Sequence, residues 1–122
     1  DPMERIHFSN VLTTFSRNRT IIISSHIVSD IESTCKRLLI LDNGKSVYNG
    51  SKDELIARCK GNVWELKTSE DESLHFESNY FISKKDLLED GVLLRVISKE
   101  KPIESAWEVT PTLNDSYLNL MN

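Results

Sequence analysis

The sequence is poor in the residues that punctuate or staple a chain. It has 4 glycines, 3 prolines and 2 cysteines in 122 residues. So few glycines and prolines exclude a collagen-like or low-complexity chain, and two cysteines exclude a disulfide-dense scaffold. Long apolar runs are absent. The longest are Ile21 to Ile23 and Leu38 to Leu41, far short of the roughly 20 residues that span a bilayer. The start, Asp-Pro-Met-Glu-Arg, lacks the basic and apolar regions of a signal peptide, and an Asp-Pro ahead of the first Met reads as a cut chain. There is no excess of basic charge: the net charge is −4, which argues against nucleic acid as a partner. No Gly-rich phosphate loop occurs, and Cys35 and Cys59 have no metal-ligand spacing. Each cysteine falls on the apolar stripe of a predicted helix. That favours buried free thiols in a reducing compartment, with a disulfide left open.

What is present is a globular composition, 39% apolar and 28% charged. The charge is uneven. Residues 1–61 carry nine Lys/Arg and seven Asp/Glu, whereas residues 62–122 carry six and twelve. The break falls at Gly61-Asn62, a turn signal, and places a boundary between a first domain, 1–61, and a second, 62–122.

In the first domain Asp1 is an N-cap, Pro2 occupies the first helical position and Glu4 completes a capping box. Phe8, Val11, Leu12 and Phe15 then recur at helical spacing, and the helix should end near Arg17-Asn18. Thr20-Ile21-Ile22-Ile23-Ser24 is β-branched without alternation, the pattern of a strand buried on both faces in a parallel sheet. A helix over 27–35 and a second apolar strand over 38–41 complete a βαβ unit. Asn43-Gly44 predicts a tight hairpin with a return strand over 46–49. Ser51-Lys52-Asp53-Glu54 opens a helix that Gly61 closes. In the second domain strands are expected over 63–67, 80–82, 92–98 and 106–109. An acidic exposed loop is expected over 70–77, a helical turn over 84–89, and a final helix from Thr110-Pro111-Thr112 carrying Leu113, Tyr117, Leu120 and Met121. The fold class is α/β: a partial parallel sheet, βαβ plus hairpin, followed by a small α+β module.

The one polar group at an informative place is Ser24-Ser25-His26, at the carboxyl end of a predicted buried strand and before a helix. Ligands of open α/β sheets bind there. A His at that point can hydrogen-bond an anion such as a phosphate; the alternative is a His that caps or packs. Ser25 and His26 are no hydrolase dyad, because adjacent strand residues point to opposite faces. His7 and His75 read as surface residues, and Glu70-Asp71-Glu72 lacks the spacing of a calcium loop. No metal site is expected.

Asp1-Pro2, the run Thr20 to His26, then Glu32, Cys35 and Arg37, together resemble the end of an ABC-transporter ATP-binding subunit. Leu41-Asp42-Asn43-Gly44-Lys45 and Tyr48-Asn49-Gly50-Ser51 fit the same pattern, and the run Thr110 to Leu118 resembles the ending of subunits that serve exporter-type permeases. The resemblance implies a partial P-loop NTPase-type sheet. It makes His26 the switch histidine that senses the ATP γ-phosphate, and places Asp1 at the interface of two such subunits. It further implies ATP and Mg2+ as cofactors of the intact parent, and a permease and a second ATP-binding subunit as its partners. The location implied is cytoplasmic, peripheral on the inner face of the membrane. The family's phosphate-binding, signature and catalytic-acid motifs would lie upstream of Asp1. The chain alone is therefore expected to be inactive, to bind no nucleotide, and to self-associate through residues 1–25. The alternative is a regulatory, dimerising or permease-contacting module without nucleotide chemistry. A free-standing His-dependent enzyme is disfavoured, since no second catalytic group converges on His26.

Overall fold

The computed structural model describes all residues except 16, 18, 19, 21, 23, 24, 26 and 27, and all their side chains except those of residues 15, 29 and 30. The chain divides into two units, Asp1–Glu54 and Leu55–Asn122.

The first unit opens with α1, Pro2–Phe15. Asp1 caps it as expected: its Oδ1 accepts from the Met3 N–H at 2.9 Å. On the apolar face of α1 Phe8 is 60% exposed and Val11 36%, and Leu12 is half-buried. α2, Val28–Glu32, is shorter than the helix expected over 27–35. β1, Arg37–Asp42, and β2, Lys45–Ser51, pair antiparallel. Asn43 at φ 51° and Gly44 at φ 76° make the tight turn between them. Positive φ at both central positions is what lets the turn follow the right-handed twist of the strands. α3, Lys52–Arg58, begins where the Ser51 hydroxyl accepts from the Glu54 N–H at 2.9 Å.

The parallel sheet expected of residues 20–24 and 38–41 is not shown among the described residues. Both sheets among the described residues are antiparallel. The expected partner strand, 20–24, lies largely outside the described residues; Thr20 and Ile22, which are described, carry no strand assignment. Nor is β1 buried on both faces: Leu39 and Leu41 are exposed. A strand is doubly buried only when elements cover both of its faces, and among the described residues β1 pairs with β2 alone.

The second unit holds a four-stranded sheet in the order β4-β5-β3-β6. β3 is Val63–Thr68, β4 Phe81–Leu88, β5 Gly91–Ile97 and β6 Trp107–Glu108. Gly61, at φ 84°, turns the chain from α3 towards β3. Two expectations fail here. Residues 70–77 are not a loop but part of α4, Glu70–Asn79, capped by the Ser69 side chain accepting from the Glu72 N–H. Its acidic first turn suits the positive end of the helix dipole. Residues 84–89 hold no helical turn: β4 runs on through Leu88, with a register shift between Ile82 and Lys84 that carries it past Ser83.

Alternation sorts the sheet's two faces. Val92, Leu94 and Val96 of β5 and Leu66 of β3 form the core with Phe76 of α4 and Ala106. Burying each large side chain contributes roughly 1.5–3 kcal/mol. The Arg95 side chain belongs to the other face. There the final helix α5, Leu113–Met121, is held, opened by a Thr112–Asp115 capping box.

Candidate functional site

His26 and Ser24 lie outside the described residues, so the structure does not place the anion-binding constellation. Ser25 is half-buried. Asp1 is exposed and engaged as the cap of α1. Nothing among the described residues brings Asp1 and Ser25 into one site. His7 and His75 are exposed.

The polar cluster that the structure does assemble is in the second unit, and the sequence reading missed it. Arg95 lies on β5 amid apolar neighbours, with 16% of its side chain exposed. Its Nε donates to both carboxylate oxygens of Asp115, at 3.0 and 3.1 Å. Its Nη2 donates to Asp115 Oδ2 at 2.7 Å and to the Thr110 carbonyl at 2.9 Å. Glu65 of β3 stands 3.8 Å from Nη1. Asp115 accepts further from the Thr112 N–H, the Thr112 hydroxyl and the Ser83 hydroxyl. Burial alone would push the Asp115 carboxyl up. The Arg95 and Thr112 hydrogen bonds outweigh it and hold that carboxyl below its usual value. The Arg95 guanidinium is in turn pushed up, chiefly by the same hydrogen bond.

Cys59, fully buried, sits against this cluster, with Ser116 within hydrogen-bonding reach of its thiol. Burial, then the Asp115 charge, pushes the thiol up, away from the thiolate a nucleophile needs. Cys35 is half-buried and its thiol is raised by burial as well; both cysteines are free, as the sequence favoured.

Chemically the cluster is a clamp. A carboxylate saturated with donors has no lone pair directed at a substrate, and a guanidinium paired in this way does not exchange its proton. Breaking such a buried pair by removing one partner costs about 3–5 kcal/mol. Two signals were available in the sequence: a single Arg within Val92-Leu93-Leu94-Arg95-Val96-Ile97, and the Thr112-x-x-Asp115 box. Among the described residues no group of three His, Cys, Asp or Glu could hold a metal ion, and no helix is long and apolar enough to cross a membrane.

No family model matches the chain. Three curated proteins do. One is an uncharacterized ABC transporter ATP-binding protein of Synechocystis, 32% identical over 75 residues, covering 61% of this chain and 21% of the relative. A second, of Nostoc, is 37% identical over 57 residues, covering 46% and 17%. A third, of Bacillus subtilis, is 26% identical over 70 residues, covering 57% and 24%. The chain thus spans about a fifth of the length of the curated relatives it matches. All three relatives are named ABC transporter ATP-binding protein.

Proposed function

We propose that this chain is part of the ATP-binding, ATP-hydrolysing motor subunit of an ABC transporter. Residues 1–61 are the C-terminal part of the ATPase core, and residues 62–122 a small accessory α+β domain. The reading is carried by the three alignments, all to proteins named ABC transporter ATP-binding protein. The order of Asp1-Pro2, Thr20 to His26 and Asp42 to Lys45 along the chain supports it.

In this reading His26 hydrogen-bonds the γ-phosphate of ATP in the whole protein, and Asp1 lies where two ATP-binding subunits meet. The described residues do not fit a complete site for ATP and Mg2+. Gly44, Gly50, Gly61 and Gly91 stand singly, in turns and at strand positions, and no metal-holding cluster occurs among the described residues. Phosphates and magnesium are therefore held mainly by parts of the protein outside this stretch. The stretch alone neither binds ATP tightly nor hydrolyses it. The partners are a membrane permease and a second ATP-binding subunit, and the place of action is the cytoplasmic face of the membrane.

The test is His26→Ala in the whole protein. Losing one donor to charge that develops in the transition state lowers turnover roughly a hundred- to a thousand-fold and leaves ATP affinity nearly unchanged. Wild-type turnover returns His26 to a capping or packing role. A second reading, a regulatory or permease-contacting module, is favoured by the self-contained core of 55–122. Calorimetric titration of the 122-residue chain with ATP and magnesium bears on both: micromolar binding with turnover overturns the assignment of the nucleotide site to other parts of the protein.

A further inference from the structure

The first unit contains Asn-Gly twice, as Asn43-Gly44 and as Asn49-Gly50. This dipeptide is prone to lose its side-chain amide, because glycine carries no Cβ to shield its nitrogen from the side chain before it. By sequence the two pairs are equivalent. The β1–β2 hairpin makes them different.

Asn43-Gly44 is the turn itself, at φ 51° and 76°. Both residues are exposed, and nothing lies within 4 Å of a Cβ built on Gly44. Leu41–Ser46 and Asp42–Lys45 are the only pairs between this turn and the register shift that follows Ile40, where Val47 has no partner in the register. Leu41 is 62% exposed and Val47 40%, so little apolar area holds the tip closed. Asn49-Gly50 lies on the far side of the shift, among the unbroken pairs from Arg37–Ser51 to Ile40–Tyr48. Gly50 is buried, and a Cβ built there meets Tyr48 Oη at 2.9 Å. That end of the hairpin is fastened as well. The Tyr48 hydroxyl donates to the Ser51 carbonyl at 2.6 Å, and the Lys52 N–H to the Lys36 carbonyl at 2.8 Å.

Ring closure swings the glycine nitrogen onto the Cγ of the asparagine, a backbone rotation that a closed turn and a closed ladder both oppose. At the tip, two pairs must part. At Asn49, the unbroken half of the hairpin must unzip and Tyr48 must leave Gly50. Local openings within one fold differ in free energy in this manner.

We infer that Asn43 is a site of spontaneous deamidation and that the fold protects Asn49. The Gly44 nitrogen attacks Asn43 Cγ and gives up its proton to water; the Cγ–Nδ2 bond breaks and ammonia leaves. Water then opens the cyclic imide. Breaking its nitrogen bond to Cγ leaves aspartate, and breaking its nitrogen bond to the backbone carbonyl carbon leaves isoaspartate. Either product places a negative charge beside Asp42, and the additional main-chain carbon of isoaspartate does not fit the two-residue turn. This goes beyond the transporter reading and does not depend on it.

The test is incubation of the folded 122-residue chain at mildly alkaline pH in water enriched in heavy oxygen, which marks amides hydrolysed during the incubation. Cleavage after Arg37, Lys45 and Lys52 puts the two asparagines on separate peptides, and mass spectrometry reads each. A parallel sample in urea gives the rates of the unfolded chain. In urea both sites are expected to convert at similar rates, because the same residue follows each asparagine. In the folded chain Asn43 is expected to convert at least about tenfold faster than Asn49. Equal rates at the two sites in the folded chain, or a faster loss at Asn49, overturn the inference. So does an Asn43 that stays intact in the folded chain, whatever happens in urea.

Discussion

Gly91→Ala is expected to destabilise the second unit far more than Gly61→Ala, although both glycines have positive φ. Gly91 opens β5 at φ 151°, and a Cβ built there meets the Thr68 carbonyl oxygen at 2.6 Å. That oxygen belongs to backbone in the β3–β5 ladder, where Thr68 pairs with Val92, so it cannot swing aside as a side chain would. Gly61 has φ 84° and nothing within 4 Å of its Cβ position. For Gly61→Ala the cost is the left-handed conformation alone, about 1–2 kcal/mol, partly offset by a stiffer unfolded chain. Gly91→Ala adds displaced strand backbone to a conformation that side chains rarely adopt, each worth about 1–3 kcal/mol. The difference between the two variants should therefore be about 2 kcal/mol or more. Urea unfolding followed by tryptophan fluorescence reads it through Trp64, whose Nε1 donates to the Ser98 carbonyl at 3.0 Å. With a slope near 1 kcal/mol per molar urea for so small a unit, the midpoints should differ by about 2 M. Equal midpoints, within about 0.5 M, would refute the steric reasoning and the β3–β5 register on which it rests.

Leu94→Ala, at a fully buried position in the α4-facing core, should cost about 2–5 kcal/mol in the same assay. A loss below 1 kcal/mol would deny that this cluster is the core. The pH dependence of stability follows from Asp115, whose folded carboxyl is held below the ordinary value of 3.8. A depressed folded pKa contributes stability that is fully present well above 3.8 and is lost as pH falls through the lower, folded value. Urea midpoints measured between pH 7 and pH 2 should fall on the acid side, and Asp115→Asn should flatten that fall; an unchanged slope in the variant would remove Asp115 as its source.

The local signals of the sequence were legible wherever one residue type answers one geometric demand. Asn43-Gly44 gave the hairpin turn, Ser51 the cap of α3, Gly61 the turn that follows it, and the β-branched and apolar runs gave β3 and β5. α4 was missed because its acidic residues read as a solvated loop; only Ser73 and Phe76 of the helix are buried, too few for a clear period. Its N-cap was nevertheless written as Ser69-x-x-Glu72. The start of β4 was read in the strand expected over 80–82, but its continuation was missed because the irregularity at Ser83 breaks the alternation and Lys84, Lys85 and Asp86 supply no apolar face. The Arg95–Asp115 pair joins residues twenty positions apart, and no local pattern tells a strand Arg which helix will answer it. The strand expected over 20–24 lies largely outside the described residues.

β4 is one of the two outer strands of the second sheet, and its composition has a consequence for solubility. An open edge offers unpaired backbone groups to any extended chain that drifts alongside. Here the middle of that edge carries Lys84 and Lys85, tied to Asp86 at 3.6 Å and to Glu77 at 3.0 Å, and the irregularity at Ser83 breaks its run just before them. Another copy adding itself as a fifth strand would have to bring its own lysines against these or leave them stranded. Charge and shape thereby disfavour growth of the sheet on that side, which steers chain-to-chain association away from β4.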